Sequence, residues 1–175
     1  MKTPRCIAIL SLYTTLLSAE PEKTPMPTGD RVGFPEGYTN TFTILRTVVR
    51  DNGAKLVTVY GNAAAASVTN KSQLPYPNGS VLVMESASTS KELGAPGSGA
   101  QREVKKDVVL GLHVMRRGQD FGKGYGDKRS GQWEFAEYKP DGSYITPPAK
   151  SGVCAECHIK AGAALDFVYQ GRLGK

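Results

Sequence analysis

The sequence predicts an α+β fold, mainly an antiparallel β-sheet flanked by a few short helices. Two observations predict it. Short β-branched runs alternate with Asn-Gly and Pro-Asn-Gly turns, and 20 glycines with 11 prolines favour many turns over a helical bundle. At 175 residues and 39% hydrophobic content, the chain suits one domain with a real core and is not disordered throughout.

The first segment reads as a secretory leader over residues 1–19. "MKTPR" is a basic n-region, "CIAILSLYTTLL" an apolar stretch, and "SAEPE" a small-residue exit with cleavage after Ala19. The competing readings are a membrane anchor or a buried first strand, but about twelve apolar residues are too few to span a bilayer. Cys6 lies at the start of that stretch, not its end, which argues against lipid attachment. Removal of the leader leaves 20 basic against 16 acidic residues, a charge of +4, and only two cysteines. The expected location is the periplasm or another exported compartment. Residues 20–33 are proline-rich and polar, a flexible entry segment, and residues 34–175 form the domain.

Within the domain, "TFTILRTVVRDNGAKLVTVYGN" predicts a hairpin, with strands Thr41–Arg50 and Lys55–Tyr60 around Asp51-Asn52-Gly53. Asn62 is placed to cap a short helix over "AAAASV". The turn Pro77-Asn78-Gly79 leads into a strand in which Leu82 and Met84 share one face while Val81, Val83 and Glu85 share the other. "GAPGSGAQR" is a glycine-rich loop. "VKKDVVLGLHVMRR" is a further strand, with His113 and Met115 on one side and Leu112 and Val114 opposite. "QWEFAEY" is another, with Trp133 and Phe135 facing together before the "KPDG" turn. The cysteine segment that follows is expected to be helical. Positive charge is spread along the chain without a basic, aromatic-interleaved block, so nucleic acid is not an expected partner. A negatively charged redox protein is the weaker suggestion, and stable membrane insertion is not expected.

Chemistry concentrates in "CAECH". Cys154 and Cys157, with His158 beside them, form C-x-x-C-H, the attachment pattern of c-type haem. On a helical turn the two thiols reach the two vinyl groups of one porphyrin as thioethers, and the imidazole is held at the iron as proximal ligand. Thioether formation also accounts for two thiols that would not stay free in an oxidising compartment. A structural zinc site needs four ligands, and beyond this segment only His113 could add a nitrogen. A thioredoxin-like dithiol sits at a helix start in an α/β unit, which this chain lacks. One motif implies one haem c.

Four segments in order, "FPEGYTNTF", "YPNGSVLVMES", "GQWEFAEYKPDG" and "CAECHIKAGAALDFV", resemble the cytochrome P-460 family, which includes cytochrome c′-beta. The resemblance implies an antiparallel sheet flanked by helices, a homodimer in the bacterial periplasm, and one haem c with His158 as proximal ligand, typically five-coordinate. The family's enzymatic branch cross-links a lysine to the porphyrin and oxidises hydroxylamine. That lysine aligns with Met84, whose thioether carries no amine to cross-link, and Lys91 lies beyond the same strand position. The family's distal carboxylate, a proton acceptor, aligns with His113.

Met84 is therefore a candidate for apolar pocket lining or for an axial ligand. His113 is a candidate distal acid–base group, a sixth iron ligand, or an ordinary half-buried histidine; an unperturbed pKa of about 6.5 suits the first role. Phe42, Phe121 and Tyr125 are candidates for the distal pocket or for plain packing, and Arg46 or Arg50 for a propionate partner. The functional expectation is an exported monohaem cytochrome binding a small ligand such as nitric oxide. Redox turnover of nitrogen oxides or hydroxylamine stays open, and so does the alternative of a six-coordinate electron carrier using Met84 or His113.

Overall fold

The computed structural model describes residues 26–91 and 104–169. The leader with Cys6, the start of the entry segment and the glycine-rich loop lie outside them. Six strands form one antiparallel sheet in sequential order: β1 (Thr43–Arg50), β2 (Lys55–Gly61), β3 (Val81–Lys91), β4 (Val104–Arg117), β5 (Trp133–Tyr138) and β6 (Tyr144–Thr146). Three short helices accompany them: α1 (Tyr38–Thr41), α2 (Ala63–Ala66) and α3 (Gly152–Ile159). The α+β class predicted from the turns and strand runs is the observed one.

The period-2 alternation of the strands divides the apolar residues between the two faces of the sheet. Leu82, Met115, Trp133 and Phe135 join Tyr125 and Ala155 in a core under α3. Val81, Val83, Leu112, Val114, Ala136 and Tyr138 pack on the opposite face with Val32, Tyr38 and Tyr60. These face assignments are the ones the alternation predicts for β3, β4 and β5.

Local chemistry explains the connections. The Oδ1 atom of Asn62 accepts from the N–H of Ala65 at 3.0 Å and caps α2, a contact worth about 1 kcal/mol. The same oxygen accepts from the N–H of Val81 at 3.0 Å, tying that cap to the start of β3. The first hairpin departs from the tight two-residue turn that Asn-Gly suggests. Arg50 pairs with Lys55, so four residues make the turn, and Asp51, Asn52 and Gly53 all take positive φ (53°, 54°, 91°). Asp and Asn tolerate that region better than other side chains, which lets the longer turn form here.

The entry segment is not flexible throughout. Val32 is 1% exposed in the core, and Arg31 pairs with the buried carboxylate of Glu134. The carboxylate of Asp30 accepts hydrogen bonds from Tyr138 (2.6 Å) and Tyr144 (2.7 Å). Residues 30–33 are thus tied to the domain by these contacts.

Candidate functional site

α3 carries the C-x-x-C-H motif as the sequence predicts. It packs on the sheet face bearing Leu82, Met115 and Phe135 through its own fully buried Ala155. A cavity of about 590 Å³ opens there, within the range of small-molecule and cofactor sites. Val153, Cys154, Cys157 and His158 of α3 form one wall, continued by Val168 and Tyr169. The sheet forms the other with Val59, Met84, His113, Phe135 and Glu137, and with Arg50 at the end of β1.

His158 is held before any cofactor is considered. Its ring lies 4.7 Å from that of Phe135, centroid to centroid, and 5.5 Å edge-on from Tyr169. Nδ1 donates to the backbone carbonyl of Phe167 at 2.7 Å. That bond selects the tautomer with a free lone pair on Nε2, the arrangement a metal-ligating histidine needs. Burial lowers the ring's pKa below the ordinary histidine value, although the Phe167 hydrogen bond opposes it. The ring is thus kept neutral and able to ligate.

The two thiols differ. Cys157 is exposed and Cys154 half-buried. Burial, with the nearby Glu137 carboxylate and Cys157, pushes the Cys154 thiol up to about 12. Among the described residues no group of three or more His, Cys, Asp or Glu side chains is placed to hold a metal ion, which leaves the zinc reading without its ligand set. Val153 and Tyr169, both cavity-lining, are 64% and 54% exposed, apolar surface that a flat cofactor would cover. The donor set, cavity and uncovered surface fit a porphyrin.

Met84, His113 and Glu137 occupy one lateral row of the sheet. Val59 pairs with Met84, Met84 with His113, His113 with Glu137, and Glu137 with Thr146. Their side chains share a face by register, which is why residues from four strands meet at one cavity. Nδ1 of His113 lies 2.5 Å from Oε1 of Glu137, and the hydroxyl of Thr146 donates to Oε2. The alignment to the family's distal carboxylate stops at His113. A carboxylate does line this cavity, one strand over at Glu137. Strand alternation carries its signal in the sequence, since Trp133, Phe135 and Glu137 fall on one face and an acid stands there among aromatics.

Other candidates separate cleanly. Tyr125 is buried in the core with its hydroxyl 2.8 Å from Ser151, and Phe42 packs on the far face. Phe121 lies under the guanidinium of Arg31 at 4.2 Å. Arg50 lines the cavity, and the exposed Arg46 pairs with Val59 in the same lateral row of the sheet.

The family described as Cytochrome P460 matches residues 35–170, most of the chain and the whole of this site. The chain belongs to the cytochrome P460 family. No curated protein matches it. Cytochrome P460 membership carries a single covalently attached c-type haem, so this chain is a haem- and iron-binding cytochrome. Among the described residues no helix is long and apolar enough to cross a membrane.

Proposed function

We propose that this cytochrome P460 member is an exported protein that binds a small ligand, such as nitric oxide, in the cavity that the His113–Glu137 pair faces. The observation that carries the proposal is that pair, 2.5 Å apart and lining the same cavity as Cys154, Cys157 and His158. The haem supplies a redox-active iron able to take up a small ligand. Cys154 and Cys157 would hold it as thioethers, His158 would ligate it through the ring nitrogen left free by Phe167, and Arg50 or Arg46 would face a propionate.

The pair supplies what an apolar pocket lacks. Glu137 is anchored by Thr146 and lies within hydrogen-bond distance of His113, whose side chain is 47% exposed. A proton given up by a protic ligand such as hydroxylamine would have a route through the imidazole to water, whereas nitric oxide, which carries none, would meet the pair as a polar neighbour. Met84, on the neighbouring strand, lines the cavity with an unreactive thioether in place of the family's cross-linking amine. That substitution favours ligand binding, and any turnover proceeds without a porphyrin cross-link. An exported location follows from the leader-like residues 1–19, and a homodimer from the family resemblance.

The optical spectrum of the reduced holoprotein, with and without carbon monoxide, tests this. A high-spin spectrum that shifts on adding the gas is expected. Sharp low-spin bands indifferent to the gas would overturn the proposal in favour of an electron carrier ligated by Met84 or His113.

A further inference from the structure

We infer that Asp166 is a positioning residue for His158, setting the orientation and basicity of the imidazole through the Phe167 carbonyl. The inference rests on His158 being the axial ligand.

Asp166 and Phe167 are consecutive residues in the left-handed region, with φ of 47° and 59°. Neither is glycine, and a bulky aromatic in that region is a genuine outlier that its surroundings must enforce. Three separate parts of the domain enforce it. The indole N–H of Trp133, fully buried at the start of β5, donates to the Asp166 carbonyl at 2.9 Å. The Asp166 carboxylate accepts from the N–H of Tyr76 at 3.0 Å and from Nε of Arg117, the last residue of β4, at 3.2 Å. The Phe167 ring is seated against Gly131, where a Cβ would stand 2.8 Å from it.

The product of this turn is the direction of one carbonyl. With Phe167 left-handed, its C=O meets Nδ1 of His158 at 2.7 Å. A right-handed or extended residue 167 would aim that carbonyl elsewhere, and the ring would lose both its fixed tautomer and its fixed rotation. Strain held in place by buried hydrogen bonds, ending on a ligand's second nitrogen, marks a functional constraint. Asp166 touches neither the cavity nor the ligand; it acts on His158 through the backbone.

Four holoproteins test the inference: the natural protein, Asp166→Gly, Asp166→Asn and Trp133→Phe. Glycine keeps the left-handed backbone at no steric cost but removes the carboxylate. Asparagine keeps both the αL tolerance and an acceptor for Tyr76. Covalent haem is verified in each by its pyridine spectrum, and two readouts follow: hydrogen exchange of the His158 Nδ1 proton by NMR, and the reduction potential. Asp166→Gly is expected to speed exchange roughly tenfold and to raise the potential, because a less strongly hydrogen-bonded imidazole donates less to the ferric iron. Asp166→Asn should stay close to the natural protein, and Trp133→Phe should move both readouts in the glycine variant's direction. Should Asp166→Gly give no holoprotein, Trp133→Phe decides on the same two readouts. Unchanged exchange and potential, with only a lower melting temperature, would overturn the inference and leave Asp166 as a structural anchor. A natural holoprotein with haem attached but no ligating-histidine signal would overturn the His158 assignment itself, and the inference with it.

Discussion

Glu85 and Glu137 lie on opposite faces of the sheet, and the two are treated differently. On the face away from α3, Glu85 is 1% exposed and fully engaged: the Tyr38 hydroxyl donates to it, and Nζ of Lys106 donates to both oxygens at 3.0 and 3.1 Å. Burial and that hydrogen bond raise the Tyr38 pKa far above the ordinary phenol range, so the hydroxyl stays a donor. On the cavity face, Glu137 has 18% of its side chain exposed, and its partners are a hydroxyl and an imidazole. A carboxylate closed off by a tyrosine and a lysine can only hold structure together. One shared with a titratable histidine at the edge of a cavity can exchange a proton. The same residue type is thus a brace on one face and a candidate acid–base group on the other, and the difference lies in the partners.

The largest effect expected separates the faces by cofactor. The double variant Cys154→Ala/Cys157→Ala should retain no haem after acid–acetone extraction, whereas Glu85→Ala should retain all of it. Haem resisting extraction from the double variant would break the comparison at its root. Next in size is stability. Glu85→Ala leaves the buried Tyr38 hydroxyl without an acceptor, while the half-exposed Lys106 can turn to water. A loss of about 2 kcal/mol is expected in denaturant titration, against under about 1 kcal/mol for Glu137→Gln. Equal losses would erase the distinction. The smallest effect concerns pH. Burial raises the Asp30 pKa, but hydrogen bonds from Tyr138, Tyr144 and the Gly33 and Val32 N–H groups outweigh it and hold it below its ordinary value. A carboxylate depressed in the folded state contributes stability above its unfolded pKa of about 4 and loses it as pH falls through the folded value. Asp30→Asn should therefore reduce the difference in unfolding midpoint between pH 6 and pH 3, with no change at the cavity.

Much of this organisation was legible in the sequence because it rests on short-range rules. Alternation puts Leu82 with Met84 and His113 with Met115, and strand pairing then brings the two pairs to one face. Asn62 announced its cap, and C-x-x-C-H announced a helix with two thiols and an imidazole on one side. Missing features depend on contacts distant in sequence or on segments too short to leave a pattern. The three residues of β6 carry no periodicity, yet they bring Thr146 to Glu137. Residues 30–33 look polar, and only the fold offers Val32 a core and Asp30 its tyrosines. The Phe167 carbonyl reaches His158 because Trp133, Tyr76 and Arg117 converge on Asp166, an arrangement no local motif encodes. Glu137 is readable from its strand, one strand over from His113, because alternation places it with Trp133 and Phe135.

The central claim is that the His113–Glu137 pair faces a ligand at the haem iron while Glu85 does not. The stretching frequency of carbon monoxide bound to the reduced holoprotein reports the polarity around that ligand most directly. His113→Ala and Glu137→Gln are expected to shift the frequency, and Glu85→Gln is expected to leave it at the natural value. One frequency common to all four proteins, or no binding of the gas at all, would contradict the account.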